Sequence, residues 1–306
     1  MRELMTTLRE TTGFEMKQFL KEAPLVQAII HLRISQHPDL TNPSEAIAGA
    51  LHKRMTKEGF PERIDTEATT LEFNFTSADK QLNQNSSSVK GISFRAPGEK
   101  DIILITHQNI VLKTTNYSCF EDFSGTFRRI LEALIDSVPD FDKVLLKSAS
   151  IRYVDLIVPK QGSKLEDYVS KDLLPMSLPM LEHSTSLHSA TVNQVATNQL
   201  QIMTVKFEEI PCPDGKIQRV MPNDLIEQDP RCALRISGQK DWFSLSSPSY
   251  GMLDVDHLHS FDASPQFDLD LISKTVKSLY DDTSKVFWGA ITETAKEAWQ
   301  ISEMKV

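Results

Sequence analysis

"KSASIRYVDLIVP", residues 147–159, lies near the midpoint of the 306-residue chain and reads as a strand with two charges, Arg152 and Asp155, in its middle. Ile151, Tyr153 and Ile157 fall on one parity and Val154, Leu156 and Val158 on the other, which places the strand in a sheet covered on both faces. Arg152 and Asp155 are three apart, so they point to opposite faces and cannot pair with each other. A buried charge needs a partner or a displaced pKa. Pairing with a neighbouring strand or helix end, which fixes register, is the preferred reading. A site for a charged ligand group is the alternative for both residues. An earlier stretch, "PLVQAIIHLRIS" (24–35), has the same character, and the elements after each stretch run in a similar order.

In the first series an N-terminal helix is expected over about residues 2–20, then the strand after Pro24. Asn42 as cap, Pro43 at the first helical position and Glu45 three residues after the cap start a helix, which Gly59 and Pro61 stop. "EATTLEFNF" (67–75) alternates as a half-buried strand, and "VKGISFRAPGEKDIILITHQNIVLKTTNY" (89–117) holds three short apolar segments divided by turns. Ser118 and Glu121 form a capping box for a helix whose apolar face carries Phe120, Phe123, Phe127, Ile130, Leu131, Leu134 and Val138, with Pro139 ending it. From residue 147 the order repeats. A strand is followed by a short helix in "KLEDYVSKDLLPM" (164–176), and "SATVNQVA", "LQIMTVKFEE", "CALRISG" and "YGMLDVDHLHS" are four strand candidates. Leu269, Ile272, Val276, Leu279, Val286 and Phe287 lie on one face of a final long helix. Residues 210–231, rich in Pro and Asp, form a long loop of a kind often tied to function.

The expected fold class is therefore α+β. Duplicated β-α-β4-α units, residues 1–146 and 147–306, join as one continuous curved antiparallel sheet backed by helices. That arrangement resembles the TATA-binding-protein-like fold, a likeness of architecture that carries no function by itself.

Apolar content of 40% with 25% charged residues is that of an ordinary globular protein. No apolar run approaches the roughly 20 residues that span a bilayer, and the N-terminus lacks an apolar signal core, so a cytoplasmic location is expected. Cys119, Cys212 and Cys232 are far apart and in no C-x-x-C pattern, which fits neither a disulfide framework nor a structural zinc site. The net charge of −9 divides into −2 over residues 1–148 and −7 over the remainder. An acidic second half argues against duplex binding by the whole molecule, since such binding rests on Lys and Arg contacts to phosphate.

No G-x-S-x-G elbow, phosphate loop or dinucleotide fingerprint is present, and no cofactor is expected. "DVDHLHSFD" (254–262) is the most metal-like segment. Strand alternation sets Asp254 and Asp256 on one face and His257 and His259 on the other, so one ion cannot easily use both pairs. Polar residues of a strand edge are the preferred reading, with a metal-dependent hydrolase as the least favoured function. His183 and His188 suit a turn or strand entry. Cys212 shows no feature that would lower its pKa. Trp288 and Trp299, both expected on the final helix beside Phe287, suit helix packing rather than base stacking.

"APLVQAIIHLRIS", "NYSCFEDFSGTFRRILEALID" followed by "IRYVDLIVP", and "LDVDHLHS" with "LYDDTSKVFWGAIT" occur here in an order that resembles a sporadically distributed, largely uncharacterised prokaryotic family. Its mark is an Arg-Tyr-aliphatic-Asn/Asp strand, matched by Arg152, Tyr153, Val154 and Asp155, and the likeness runs from about residue 22 onward. The family implies no established catalytic residues, so none is carried over. Its patchy distribution implies accessory genes such as phage-defence or mobile-element loci. The first expectation is accordingly a non-enzymatic binding protein with a protein partner, in a defence or toxin–antitoxin-type system; a homodimer is compatible with it. The second is a nucleic-acid binder that uses a concave sheet, with Lys90, Arg95, Lys100 and Lys113 as candidate contacts.

Overall fold

The computed structural model describes residues 16–76, 81–176, 180, 187–238, 242 and 245–305. The first half supplies β1 (Met16–Leu20), β2 (Leu25–Ile34), α1 (Pro38–Thr41), α2 (Glu45–Lys57), β3 (Glu62–Thr76) and β4 (Gln81–Arg95). It continues with β5 (Asp101–Thr106), β6 (Asn109–Thr114) and α3 (Phe120–Ser137). The second half supplies β7 (Leu146–Ile157), β8 (Ser189–Asn198), β9 (Gln201–Pro211), β10 (Ser249–Ser260), α4 (Leu269–Ala290), α5 (Glu293–Ala298) and β11 (Ile301–Lys305).

Nine of these strands form one sheet in the order β3-β4-β5-β6-β2-β7-β10-β9-β8. Every neighbouring pair is antiparallel. The fold is thus α+β, a large antiparallel sheet backed by helices. β2 and β7 lie side by side at its centre, with Ile30 opposite Ile151. β1 and β11 make a separate two-stranded ribbon.

Parity along β7 sorts the core. Ala149, Ile151 and Tyr153 pack beneath α2, α3 and α4 with Phe127, Ile130 and Leu134 of α3 and Val276 and Leu279 of α4. Val154, Leu156 and Val158 face the other way and join Tyr250, Met252 and Trp242. That second face is covered by the segment between β9 and β10, which we call the strap, described over residues 212–238, 242 and 245–248. Each large apolar side chain so buried contributes about 1.5–3 kcal/mol. On the helix-side face, Gly251 of β10 makes room for Phe207, because a Cβ there would stand 2.6 Å from its ring.

Several expectations need correction. Residues 1–15 lie outside the described residues. Met16–Leu20 form a strand instead of a helix end, because the ladder with β11 satisfies their backbone. The cap of α2 is Ser44, which accepts from Ile47 N–H at 3.3 Å, while Asn42 ends α1. α3 begins after Cys119, and Ser118 donates to the Asp122 carboxylate at 2.8 Å in place of the expected capping box. Residues 164–176 hold only a 3-10 turn at Leu165–Asp167. Their backbone bonds to residues near α5 instead, with Ser170 N–H donating to Ala290 and Thr292 N–H to Tyr168. "CALRISG" is not a strand, so the second half contributes to the nine-stranded sheet β7 and three further strands where four were expected. Trp299 follows α5 rather than lying on α4, and packs edge-on to Tyr168.

Candidate binding surfaces on the strap face

Registers across the sheet put one residue from each strand on a single line over the strap face. The line runs from Glu62 on β3 through Arg95, Lys113 and Arg152 to Asp256 and Gln194 on β8. The three cations stand on alternate strands, with Ile102 and Ile29 between them. Strand spacing therefore sets the cations about 10 Å apart.

Each cation already has carboxylates. Arg152 grips both oxygens of Asp254 at 2.8 and 2.7 Å and both oxygens of the strap's Asp224 at 2.6 and 3.2 Å. Burial alone would lower its pKa, but bonds from Asp254 and Asp224 outweigh that and raise it. Lys113 pairs with Glu227, also of the strap. Arg95 takes Glu62 in a two-point pair at 2.8 and 3.0 Å and reaches Glu99 at 3.4 Å. The strap thus lays Asp224 and Glu227, three residues apart, on cations two strands apart.

A second ionic knot holds the strap near β9. Glu208 is 2% exposed and accepts from Lys206, from the strap's Arg219 and from His188 at 2.8 Å. Burial would raise its pKa, but bonds from Lys206, His188 and Arg219 prevail and bring it down to about 2. The strap is further tied by Tyr250 Oη donating to Arg219 C=O at 2.9 Å. Arg235 N–H donates to Glu99 C=O at 2.6 Å, and Arg231 donates to Asp65 C=O at 3.1 Å. Where it reaches β3 and β4 it borders an open cleft of about 960 Å³ lined by Arg63, Arg95, Arg231 and Arg235. Three of those arginines pair with carboxylates, so the cleft is nearly balanced in charge.

The sequence candidates do not meet in one place. Lys90 is exposed on the opposite parity of β4 from Arg95, and Lys100 sits in the β4–β5 turn. Asp155 lies on the helix face, 4% exposed, and burial, with the Asp254 charge adding, raises its carboxyl to about 8. Asp254 and Asp256 share the strap face, and burial raises the Asp256 carboxyl. His257 points the other way, bonded to Thr197 Oγ1 at 2.9 Å and to Leu279 C=O at 3.2 Å. His259 packs edge-on against Phe261. Among the described residues no group of three or more His, Cys, Asp or Glu side chains converges as a metal site would require. Cys212 donates to Lys216 C=O at 2.8 Å, and burial raises the thiol pKa of both Cys212 and Cys232. His183 lies outside the described residues.

Beside the cation line runs a second registered line, which the strap meets only at its β5 end, where Leu104 packs against the cluster of Ile64, Ile102 and Cys232. It holds Leu104, Val111, His31, Ser150, Leu258, Ile202 and Ala196. Leu258 and Ile202 are 37% and 46% exposed. His31 shares a bond with Asn109 Oδ1 at 2.8 Å, and burial lowers its pKa, so it is neutral at pH 7. The strip is therefore uncharged and partly apolar across seven strands. Sequence reading missed it, although a signal exists: Leu258 shares parity with Asp254 and Asp256, and Ile202 with Lys206 and Glu208. Leu258 and Ile202 are direct partners across β10 and β9, so they form a contiguous exposed apolar patch of the kind that marks an interaction surface.

No protein-family model matches the chain, and no curated protein matches it either. No helix among the described residues is long and apolar enough to cross a membrane.

Proposed function

We propose that the protein is a non-enzymatic binding protein that receives a protein partner on the open strip of its sheet. The observation that carries this reading is the exposure of Leu258 and Ile202 on an uncharged line beside the band that the strap closes. Protein interfaces are depleted of charge at their centre, as this strip is. The cations of the neighbouring line are engaged by Asp254, Asp224, Glu227 and Glu62, which leaves the nucleic-acid reading without free phosphate contacts along that line. The resemblance to a patchily distributed prokaryotic family supports a role as accessory component of a phage-defence or toxin–antitoxin-type system.

Two degenerate copies in one TATA-binding-protein-like sheet remain our reading of the fold. What supports it is strand order. Outward from the centre, β2, β6, β5 and β4 on one side correspond to β7, β10, β9 and β8 on the other, with β3 the additional edge strand of the first half. α3 and α4 follow β6 and β10, their respective inner meander strands.

Native-level tagged protein is expected to retain a partner that is lost with Ile202→Asp and Leu258→Lys, two exposed substitutions that leave the melting temperature near wild type. Equal recovery of that partner by the variants overturns the reading, and so does recovery of nucleic acid alone.

A further inference from the structure

We infer that the outer edge of β8 is a seam at which two copies of this chain pair, strand against strand, into one continuous sheet. β8 ends the nine-stranded order and is exposed along almost its whole length. Its ten residues, "SATVNQVATN", contain no charge and no proline, although a quarter of the chain is charged. Edge strands left in water are ordinarily blunted by charge, proline or a covering segment. The opposite edge is blunted in this way: β3 carries Glu62, Arg63, Asp65 and Glu67, and the strap's Arg231 occupies the Asp65 carbonyl.

The occupant that fits β8 is a second β8. Pairing across a two-fold axis sets the strand against itself, so a charge near its centre would meet its own copy. A neutral strand escapes that penalty, in a chain whose net charge of −9 resists approach elsewhere. Val192 and Val195 are 58% and 50% exposed on opposite faces of this edge, so a second strand would shelter both. Pairing of β8 with β8 also closes, whereas β8 with β3 would propagate as a fibre. A two-fold axis normal to the sheet keeps both strap faces on one side.

Sedimentation of the full chain over micromolar to sub-millimolar concentrations tests this. The expected mass is twice the 34.6 kDa of the chain. It should fall to that of one chain for Val195→Lys and, independently, for Val192→Lys, with circular dichroism and melting temperature unchanged. A wild-type protein that stays monomeric throughout overturns the seam, as does a dimer that survives both substitutions. Either result leaves the partner strip standing, since Ile202 and Leu258 are read out by co-purification instead.

Discussion

Arg152 uses its guanidinium on two carboxylates at once, one from β10 and one from the strap. It has almost no donor left for a ligand, which favours the structural role over the ligand site. Arg152→Ala is expected to lower stability by on the order of 3 kcal/mol, because it leaves the buried Asp254 charge uncompensated. Arg152→Lys should recover only part, since one ammonium cannot grip two carboxylates in two-point fashion. Urea unfolding gives the answer, and an unchanged midpoint for the alanine variant would refute the clamp. Asp155 makes an opposite demand. Folded, it keeps its proton to about pH 8; unfolded, it releases it near its ordinary value of 3.8. Folding therefore holds a proton that the unfolded chain has lost, and stability falls as pH rises through that window. The slope is at most about 1.4 kcal/mol per pH unit and levels off above the folded value. Asp155→Asn should remove this slope and raise the melting temperature at pH 8 more than at pH 5. Equal shifts at the two pH values would mean the carboxyl is not the source.

At the scale of elements, the strap is anchored at its two ends and pinned in the middle by Asp224 and Glu227. Asp224 has a side chain 63% exposed, so its pair is worth at most about 1 kcal/mol to the fold. Asp224→Ala should thus leave the melting temperature nearly unchanged while speeding proteolytic cleavage between residues 219 and 231. Cleavage at the wild-type rate would show that the apolar anchors alone hold the strap. These elements also divide what was legible in the sequence from what was not. α3 and α4 announced themselves because Phe123, Phe127 and Ile130, or Ile272, Val276 and Leu279, recur at helical spacing against polar neighbours. β7 was equally plain, down to the parity of Arg152 and Asp155. Residues 232–238 misled because Cys232 and Leu234 are apolar for another reason: they rest on Ile64 and Ile102 without joining a ladder. Asp224 and Glu227 were illegible as site residues, since nothing local marks an acid whose partner lies 72 or 114 residues away.

Across the whole molecule, the same sheet face is treated in two ways. One band is closed by the strap with matched charges; the adjacent band is open, neutral and partly apolar, and reaches the neutral edge of β8. A binding function and a self-pairing function can therefore be separated by substitution, the first at Ile202 and Leu258, the second at Val192 and Val195. The central ladder carries a different implication, one of timing. β2 ends at Ile34 and its partner β7 begins at Leu146. During synthesis from the N-terminus, β6 can close one side of β2 well before β7 exists. At roughly 5–20 residues per second, the other side of β2 waits on the order of ten seconds on the ribosome. For that interval the nascent chain presents the edge of "LVQAIIHLRI", among the most apolar strands it has, to whatever lies nearby. The middle of the finished sheet is thus the most vulnerable edge of the unfinished one, and holdase chaperones that bind nascent apolar strands should govern the yield of this protein more than its final stability does.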